Sequence, residues 1–436
     1  LANIDIKSVE DLIRLSPYLG LDLVSLSDIR EKQEVELVES IIQQSLRELR
    51  DKKLNSIQEP YFFIGSVDFM VNQKDNGEIK FSIVEANGGN SRGISAIQKG
   101  GWEAMYNGFL ETLRFSEEDP LILIGHPEED ILLYEKIFLA ENFRRKFDLS
   151  LEREDNTDDS GIILEPYKKI IPKLRLKDGN PRYEGKKVDI LIGDGIVRRK
   201  RNFEEKGKKG QLNAIVTNQI FPETDDKSLT YHAVQLSEEK LSNFRVYPLN
   251  YWRAWNKDQL ISICEKVLDQ EGEIVIKPYG GSGGRGIDII SKKEDIENKV
   301  GGSVEDFGER FGPERNPFPY TICEKVNFRP INWKGTKRNF DIRIYVARKG
   351  DELVPAGGLA RVALEPFDEK RRKEGFVVNL SGYDGLDIDR GLALNKSNFN
   401  ILNLDKKDFK DMFSASVTLF HNMVKYHDKI IKEWKY

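Results

Sequence analysis

The sequence predicts a mixed α/β fold (α/β or α+β) on three observations. Apolar strands alternate with amphipathic helices along the chain, glycine-rich turns interrupt the strands, and no internal repeat or long low-complexity segment intervenes. A chain of 436 residues is expected to divide into two or three structural units. Its net charge of −5, with 32% charged and 39% hydrophobic residues, suits a soluble globular protein and lacks the basic excess of a nucleic-acid binder. No apolar run approaches the roughly 18 residues of a membrane span. The start LANIDIKSVEDL lacks the basic-then-apolar order of a signal peptide. The expectation is a soluble, cytoplasmic protein without nucleic-acid or membrane partners. Cys264 and Cys323 stand far apart with no CxxC or clustered His, so neither a disulfide framework nor a zinc site is signalled.

The elements follow from hydrophobic periodicity. Residues 1–58 read as a helical N-terminal segment, with SVEDLIRL and EVELVESIIQQSLRELR spacing Val, Leu and Ile at helical intervals. Residues 59–120 change to strands (PYFFIGSVDFMV, IKFSIVEAN) followed by a helix, ISAIQKGGWEAMYNGFLETLRF. Residues 121–222 form an α/β lobe: strand PLILIGHP, helix EEDILLYEKIFLAENFRRKF, then strands KVDILIGDGIVRRK and LNAIVTNQ. Residues 223–436 form a second α/β region ending in the helix FSASVTLFHNMVKYHDKIIKEW. The polar runs REDNTDDSG and NFEEKGKKGQ read as exposed loops.

The hairpin near residues 61–87 carries the first chemical signal. Asn76-Gly77 suits a two-residue type I′ turn, which needs positive φ at both positions. That turn pairs Asp75 with Glu78, and hence Asp68 with Glu85 and Ser66 with Asn87. Glu85 and Asn87, two apart on one strand, share a face. Opposed carboxylates resist ionising together, so the pair Asp68 and Glu85 with Asn87 points to a hard cation such as Mg²⁺. The ordinary alternative is an exposed acidic hairpin screened by water.

A second signal is EIVIKPYGGSGGRGIDIIS, read as strand, glycine loop, strand. The run Gly281-Ser282-Gly283-Gly284-Arg285-Gly286 matches GxGxxG, yet IDIIS alternates like a strand where a dinucleotide fingerprint opens a helix. No Walker lysine follows. Bare backbone N–H groups of a glycine hairpin can approach phosphate oxygens, with Lys277 reaching one as a point charge; a plain surface hairpin with an ordinary lysine is the alternative. Asp306-Phe307-Gly308 matches the DFG tripeptide of protein kinases. No HRD or VAIK accompanies it, and it reads as a coincidence in a polar loop.

A third signal lies in RNFDIRIYVARKG and ELVPAGGLARVALEP. Asp341, Arg343 and Tyr345 share one face of the first strand, with Ile342, Ile344 and Val346 on the other. Arg361 lies in the second. Arginine suits transferring phosphate, being always charged and able to bind two oxygens, although a structural ion pair such as Arg343 with Asp341 explains each one singly. Asn379 ends a short apolar strand, FVVNLS.

Together these segments resemble the ATP-grasp superfamily over about residues 220–385 and the detached piece 60–93. The resemblance rests on Asp226-Lys227 opening a helix, Lys277 with the glycine loop, the hinge strand ICEKV, the strands DIR and GGLARVA, VVNLS, and GSVDFMV…FSIVEANGG. It implies ATP as co-substrate with Lys227, Lys277, Gly281, Ser282, Gly283 and Gly284 on the phosphates. Glu324, Lys325 and Val326 would border the adenine, and Asn379 would serve the nucleotide, the metal or the substrate. Asp68, Glu85 and Asn87 would hold Mg²⁺; Arg343 and Arg361, with Lys277, would be catalytic. The acidic strand pair normally comes last, whereas here it precedes the lysine strand. That order resembles the circularly permuted branch that includes glutathionylspermidine synthetase and eukaryotic glutathione synthetase, with pheganomycin-type peptide ligases as looser relatives. A Rossmann-like substrate lobe at 121–222 is implied, with Arg198 and Arg199 after one of its strands. No acidic ribose ligand follows the hinge, where NFRPINW stands.

The implied reaction is ATP-dependent ligation of a small-molecule carboxylate and an amine (amino acid or peptide) through an acyl phosphate. Ser91 and Arg92, in NSRGIS after the metal strand, would bind a substrate carboxylate; a capping serine and a surface arginine explain them equally. Loading of an amino acid onto a carrier-protein thiol, phosphotransfer, and non-catalytic nucleotide binding use the same residues.

Overall fold

The computed structural model describes residues 25–73, 77–88, 92–128, 130–147, 161–193, 196, 212–220, 227–281, 284–312, 315–326, 328–367, 375, 378, 380–382 and 385–433. In chain order, the strands of its three main sheets begin with the hairpin β1 (Ile64–Gln73) and β2 (Ile79–Asn87). Next come β3 (Leu121–His126), β4 (Gly161–Pro166), β5 (Ile190–Ile192) and β6 (Ile215–Val216). Then follow β7 (Tyr251–Ala254), β8 (Ile274–Lys277), β9 (Asp288–Ile290) and β10 (Tyr320–Glu324). Last are β11 (Phe340–Lys349), β12 (Glu352–Val362) and β13 (Gly391–Ala393).

The first sheet has the order β2-β1-β11-β12-β13. Early hairpin and late strands therefore form one antiparallel surface, with Asp68 opposite Arg343 and Ser66 opposite Tyr345. Alternation sends Val67, Phe69 and Val71 with Ile342, Ile344 and Val346 into one core. There they meet helices α1 (Val35–Asp51) and, near the other end of the chain, Lys406–Lys425. The opposite face is covered in part by α2 (Lys99–Leu110), whose Trp102, Met105, Tyr106 and Phe109 pack with Ile64, Tyr345 and Ala347. A side chain at Gly101 would collide with the Ala356 carbonyl, its Cβ falling 1.8 Å from that oxygen, so only glycine lets α2 lie this close to β12.

The third sheet, β4-β3-β5-β6, is parallel, with α3 (Leu133–Phe147) crossing over between β3 and β4. The strand β4 was not among those read from the sequence of this region. The second sheet, β7-β10-β8-β9, is antiparallel. Two helices, α5 (Lys257–Glu271) and α6 (Ile296–Phe311), back one of its faces through Leu260, Cys264, Ile296 and Val300. Region 223–436 thus contributes to two sheets, because β11–β13 complete the one begun by the hairpin.

Two local readings change. Asp306-Phe307-Gly308 lies within α6, not in a polar loop, and Phe307 is fully buried. Its periodicity (Ile296, Val300, Ser303, Phe307) is helical, a pattern that the three glycines in the segment obscure. The hairpin register differs beside its turn: Gln73 pairs with Ile79 and Asn72 with Lys80, one residue out from the two-residue turn. A bulge between Asp68 and Phe69 leaves Val84 without an opposite number and restores the expected pairs Asp68–Glu85 and Ser66–Asn87. The bulge also reverses the faces of β2. Phe81 and Ile83 point into the core before it and Ala86 after it, which sends Glu85 and Asn87 to the opposite side with Asp68.

Candidate functional site

Asp68, Arg343, Arg361 and Asp341 form a buried ion cluster on neighbouring strands β1, β11 and β12. Arg343 grips Asp68 with both Nε and Nη2 at 2.7 Å. Arg361 Nη2 donates to Asp68 Oδ2 at 2.9 Å, while its Nε donates to Asp341 Oδ1 at 2.8 Å. Asn87 Nδ2 adds a longer contact to Asp68 Oδ2 at 3.4 Å. Asp68 is only 1% exposed, so water does not screen its charge. Burial alone would raise its pKa; the two guanidinium groups reverse that and hold the carboxyl well below the usual range. Asp341 moves the other way, to about 6, because burial outweighs the pull of Arg361. Asp68 and Glu85 stand opposite each other as expected, and each meets cations of the chain itself, Arg343 and Arg361 at Asp68 and Lys227 at Glu85.

Across the strand, Glu85 meets Lys227, the first residue of α4 (Lys227–Leu236). Four residues on, Tyr231 OH donates to the Val84 carbonyl at 3.3 Å and accepts from Lys277 Nζ at the end of β8. Cys323 of β10 lies 3.8 Å from the same hydroxyl. Burial, joined by the charge of Lys227, lowers the Lys277 pKa from its ordinary value, with Glu85 acting against it. The early hairpin and the lysine strand, far apart in the chain, therefore meet through α4. Between them lies an apolar layer in which Val275, Ile289 and Cys323 of the second sheet, with Val326 just after β10, pack with Met70 and Val84 of the hairpin.

Beyond Lys277 the chain turns through the glycine loop. Gly286 has φ +71°, and a Cβ there would approach Pro278 Cγ to 2.7 Å, so the turn requires glycine. Asp306 on α6 anchors it: Oδ2 accepts from Gly286 N–H at 2.7 Å and Oδ1 from Arg285 Nη1 at 2.8 Å. Gly281 and Gly284 flank this turn; Ser282 and Gly283 lie outside the described residues, as do Ser91, Arg198, Arg199, Asp226 and Asn379.

The hinge residues are engaged by their own surroundings. Glu324 accepts from Asn250 N–H at 2.8 Å, and Lys325 pairs with Glu273 at 2.9 Å, so both side chains turn to structural partners. Val326 is buried in the apolar layer. Arg92 pairs with Asp130, next to α3, while Tyr345 OH donates to the Arg92 carbonyl at 2.8 Å. Glu135, in the first turn of α3, accepts from the backbone N–H of Gly93 and Ser95 at 3.2 and 2.8 Å. The loop after β2 is thus tied to the 121–222 lobe.

Tyr231 and Asp306 were not singled out from sequence. Tyr231 stands four residues after Lys227, one helical turn along the same face, a spacing that could have found it. In the sequence Asp306 is marked only by the DFG tripeptide, which lacks its kinase partners.

Among the described residues no group of three or more His, Cys, Asp or Glu side chains could hold a metal ion, and no helix is long and apolar enough to cross a membrane. The oxygens available nevertheless suit Mg²⁺. Glu85 is one-third exposed and Asn87 half-buried on the same face, and this ion commonly takes one or two protein oxygens, completing its shell with water and phosphate. Asp68 fits less well as a ligand, since both its oxygens already accept from arginine and a cation there would oppose two guanidinium groups.

No family model matches the sequence, and no curated protein matches it either. Among solved structures the chain is similar to a protein assigned as a gamma-glutamylcysteine synthetase from Methylobacillus flagellatus KT, at 13% identity and a TM-score of 0.49 over 90% of this chain and 95% of that one. It is similar to a glutathione synthetase-like effector from Globodera pallida at 14% identity and a TM-score of 0.40, covering 77% of this chain and 81% of that one. A RimK-domain ATP-grasp protein from Sphaerobacter thermophilus aligns at 9% identity and a TM-score of 0.29, over 67% and 98%. These are likenesses of backbone path at low identity.

Proposed function

We propose that the chain is an ATP-dependent ligase of the ATP-grasp type, circularly permuted, that joins a small-molecule carboxylate to an amine through an acyl phosphate. The supporting observation is the meeting of Glu85, Lys227, Tyr231 and Lys277, drawn from the early hairpin, α4 and β8. In this reading the adenine enters the apolar layer of Val275, Ile289, Cys323 and Val326, bordered by the hinge at Glu324 and Lys325. Lys227 and Lys277 hold phosphate oxygens, and the backbone of Gly281 and of residues 284–286 covers them. Mg²⁺, held by Glu85 and Asn87, would neutralise charge on the β- and γ-phosphates.

Arg343 and Arg361, fixed by Asp68 and Asp341, present guanidinium groups toward the phosphoryl group in flight. A substrate carboxylate oxygen attacks the γ-phosphorus and ADP leaves with the bonding pair. The amine then attacks the acyl carbon, and phosphate leaves as the C–N bond forms and the amine gives up a proton. No side-chain nucleophile is needed, in keeping with only four His and two Cys. The 121–222 lobe, with Arg92 at its junction, serves as the substrate lobe for an amino acid or peptide. A cytoplasmic setting would supply the nucleotide.

The test is a carboxylate-by-amine screen with ATP, read by product mass. ADP formation that requires both partners, with an amide as product, supports the ligase. A phosphorylated product without amide moves the assignment to phosphotransfer, and dependence on a phosphopantetheinyl protein moves it to carrier loading. Absence of any ATP turnover across the screen refutes an enzymatic role.

A further inference from the structure

We propose that Tyr231 is the positioning residue for Lys277, fastening the phosphate-binding lysine of β8 to the bulged edge of β2. The inference rests on the nucleotide reading above and adds to it a residue that no motif of the sequence marks.

β2 is the outer strand of the first sheet, so its outward N–H and C=O groups must find partners beyond the sheet. At Phe81 the backbone of Arg245 and Tyr247 supplies them, and near the bulge the helix α4 does. Thr230 Oγ1 accepts from Ala86 N–H at 3.1 Å, and Tyr231 OH donates to the carbonyl of Val84, the extra residue of the bulge, at 3.3 Å. A phenol has one proton to give. With that proton directed at Val84, the oxygen keeps its lone pairs for Lys277 Nζ, which can only donate. The direction of the chain of bonds, lysine to tyrosine to bulge carbonyl, is therefore determined.

Tyr231 itself is fully buried and has no room to swing aside. One helical turn earlier, Lys227 reaches Glu85, the residue after Val84. A single face of α4 thus holds two ammonium groups over adjacent positions of one strand, although like charges this close repel. An unconstrained lysine would relieve the repulsion by turning away. Tyr231 removes that freedom before the anionic ligand arrives, so less ordering is left for binding to accomplish.

The experiment compares wild type, Tyr231→Phe, Lys277→Met and the double variant by calorimetric titration with Mg-ATP and, separately, with adenosine. Tyr231→Phe keeps the ring and removes only the hydroxyl. Its affinity for Mg-ATP is expected to fall about tenfold, the worth of one hydrogen bond to a charged group, while adenosine binding is unchanged. In the Lys277→Met background the same substitution is expected to have no further effect, and that pair removes both partners together, which favours a folded protein. Thr230→Ala, which removes the neighbouring helix-to-edge bond without touching Lys277, is expected to lower the melting temperature without separating ATP from adenosine. Equal losses for the two ligands, additive losses in the double variant, or no loss in Tyr231→Phe would overturn the role. A wild-type chain that binds no Mg-ATP would overturn the nucleotide reading and this role with it, a result distinct from the other three.

Discussion

Replacing Asp68 with asparagine preserves shape and one acceptor oxygen but removes the negative charge on which two buried guanidinium groups converge. In the native cluster the two arginines are balanced by Asp68 and Asp341; in the variant Asp341 alone remains, leaving one positive charge uncompensated. Asp68 and the Arg343 and Arg361 side chains are 2%, 15% and 8% exposed, so water can supply little of the missing screening. Breaking a buried pair from one side costs about 3–5 kcal/mol. Against a typical folding stability of about 5–15 kcal/mol, that is a large fraction. Urea unfolding at neutral pH, without nucleotide or divalent metal, should therefore show a clearly lower midpoint for Asp68→Asn. Adding Arg343→Met restores charge balance and is expected to recover much of the loss, a coupling readable from the four-member cycle. If Asp68 were primarily a metal ligand, the metal-free midpoint would be unchanged and only the Mg²⁺ requirement would rise. An unchanged midpoint would refute the charge-balance account.

Three further outcomes follow from the same geometry. Glu85→Gln, which keeps an oxygen but loses the charge, should raise the Mg²⁺ concentration for half-maximal ATP turnover roughly tenfold or more, checked by metal titration. Asp306→Ala frees both Gly286 N–H and Arg285, so KM for ATP should rise several-fold, about the effect of one or two lost hydrogen bonds. Asp306→Asn should do less harm, because its carbonyl can still accept from Gly286. For Lys277, burial and the nearby Lys227 lower the pKa, so raising the pH removes its charge earlier than for an exposed lysine and ATP affinity should weaken on that limb. Binding of ATP should then be accompanied by proton uptake at alkaline pH, measurable by calorimetry in buffers of different ionisation enthalpy; no such uptake would contradict the burial argument.

The hairpin shows how far the sequence carries. The Asn76-Gly77 turn leads to the right opposition of Asp68 and Glu85, yet the pairs nearest the turn are one residue out and the bulge at Val84 makes good the difference. Turn chemistry is local, whereas a bulge is settled by which face each strand must bury, and that depends on helices drawn from both ends of the chain. The fate of the charges was equally out of reach. Arg343 and Asp341 looked like partners on one strand; in the fold Arg343 turns to Asp68 on β1, and Asp341 is met by Arg361 on β12. Those pairings became possible only once β11 lay between β1 and β12. Asp306 illustrates the converse: its helix was written in the spacing of Ile296, Val300 and Phe307, but its bond to Gly286 depends on how α6 packs against the second sheet.

By itself the sequence determined the alternation of strands and helices, the hairpin that carries Asp68 and Glu85, and the strand face shared by Asp341 and Arg343, because these depend on period and turn chemistry over a few residues. The tertiary structure alone decided that Asp68 answers to arginines, that Tyr231 stands between Lys277 and the bulge, and that hairpin and lysine strand meet. Such pairings join groups from remote parts of the chain, and in a buried setting each charge or hydrogen-bonding group must take whichever partner the packing brings within reach.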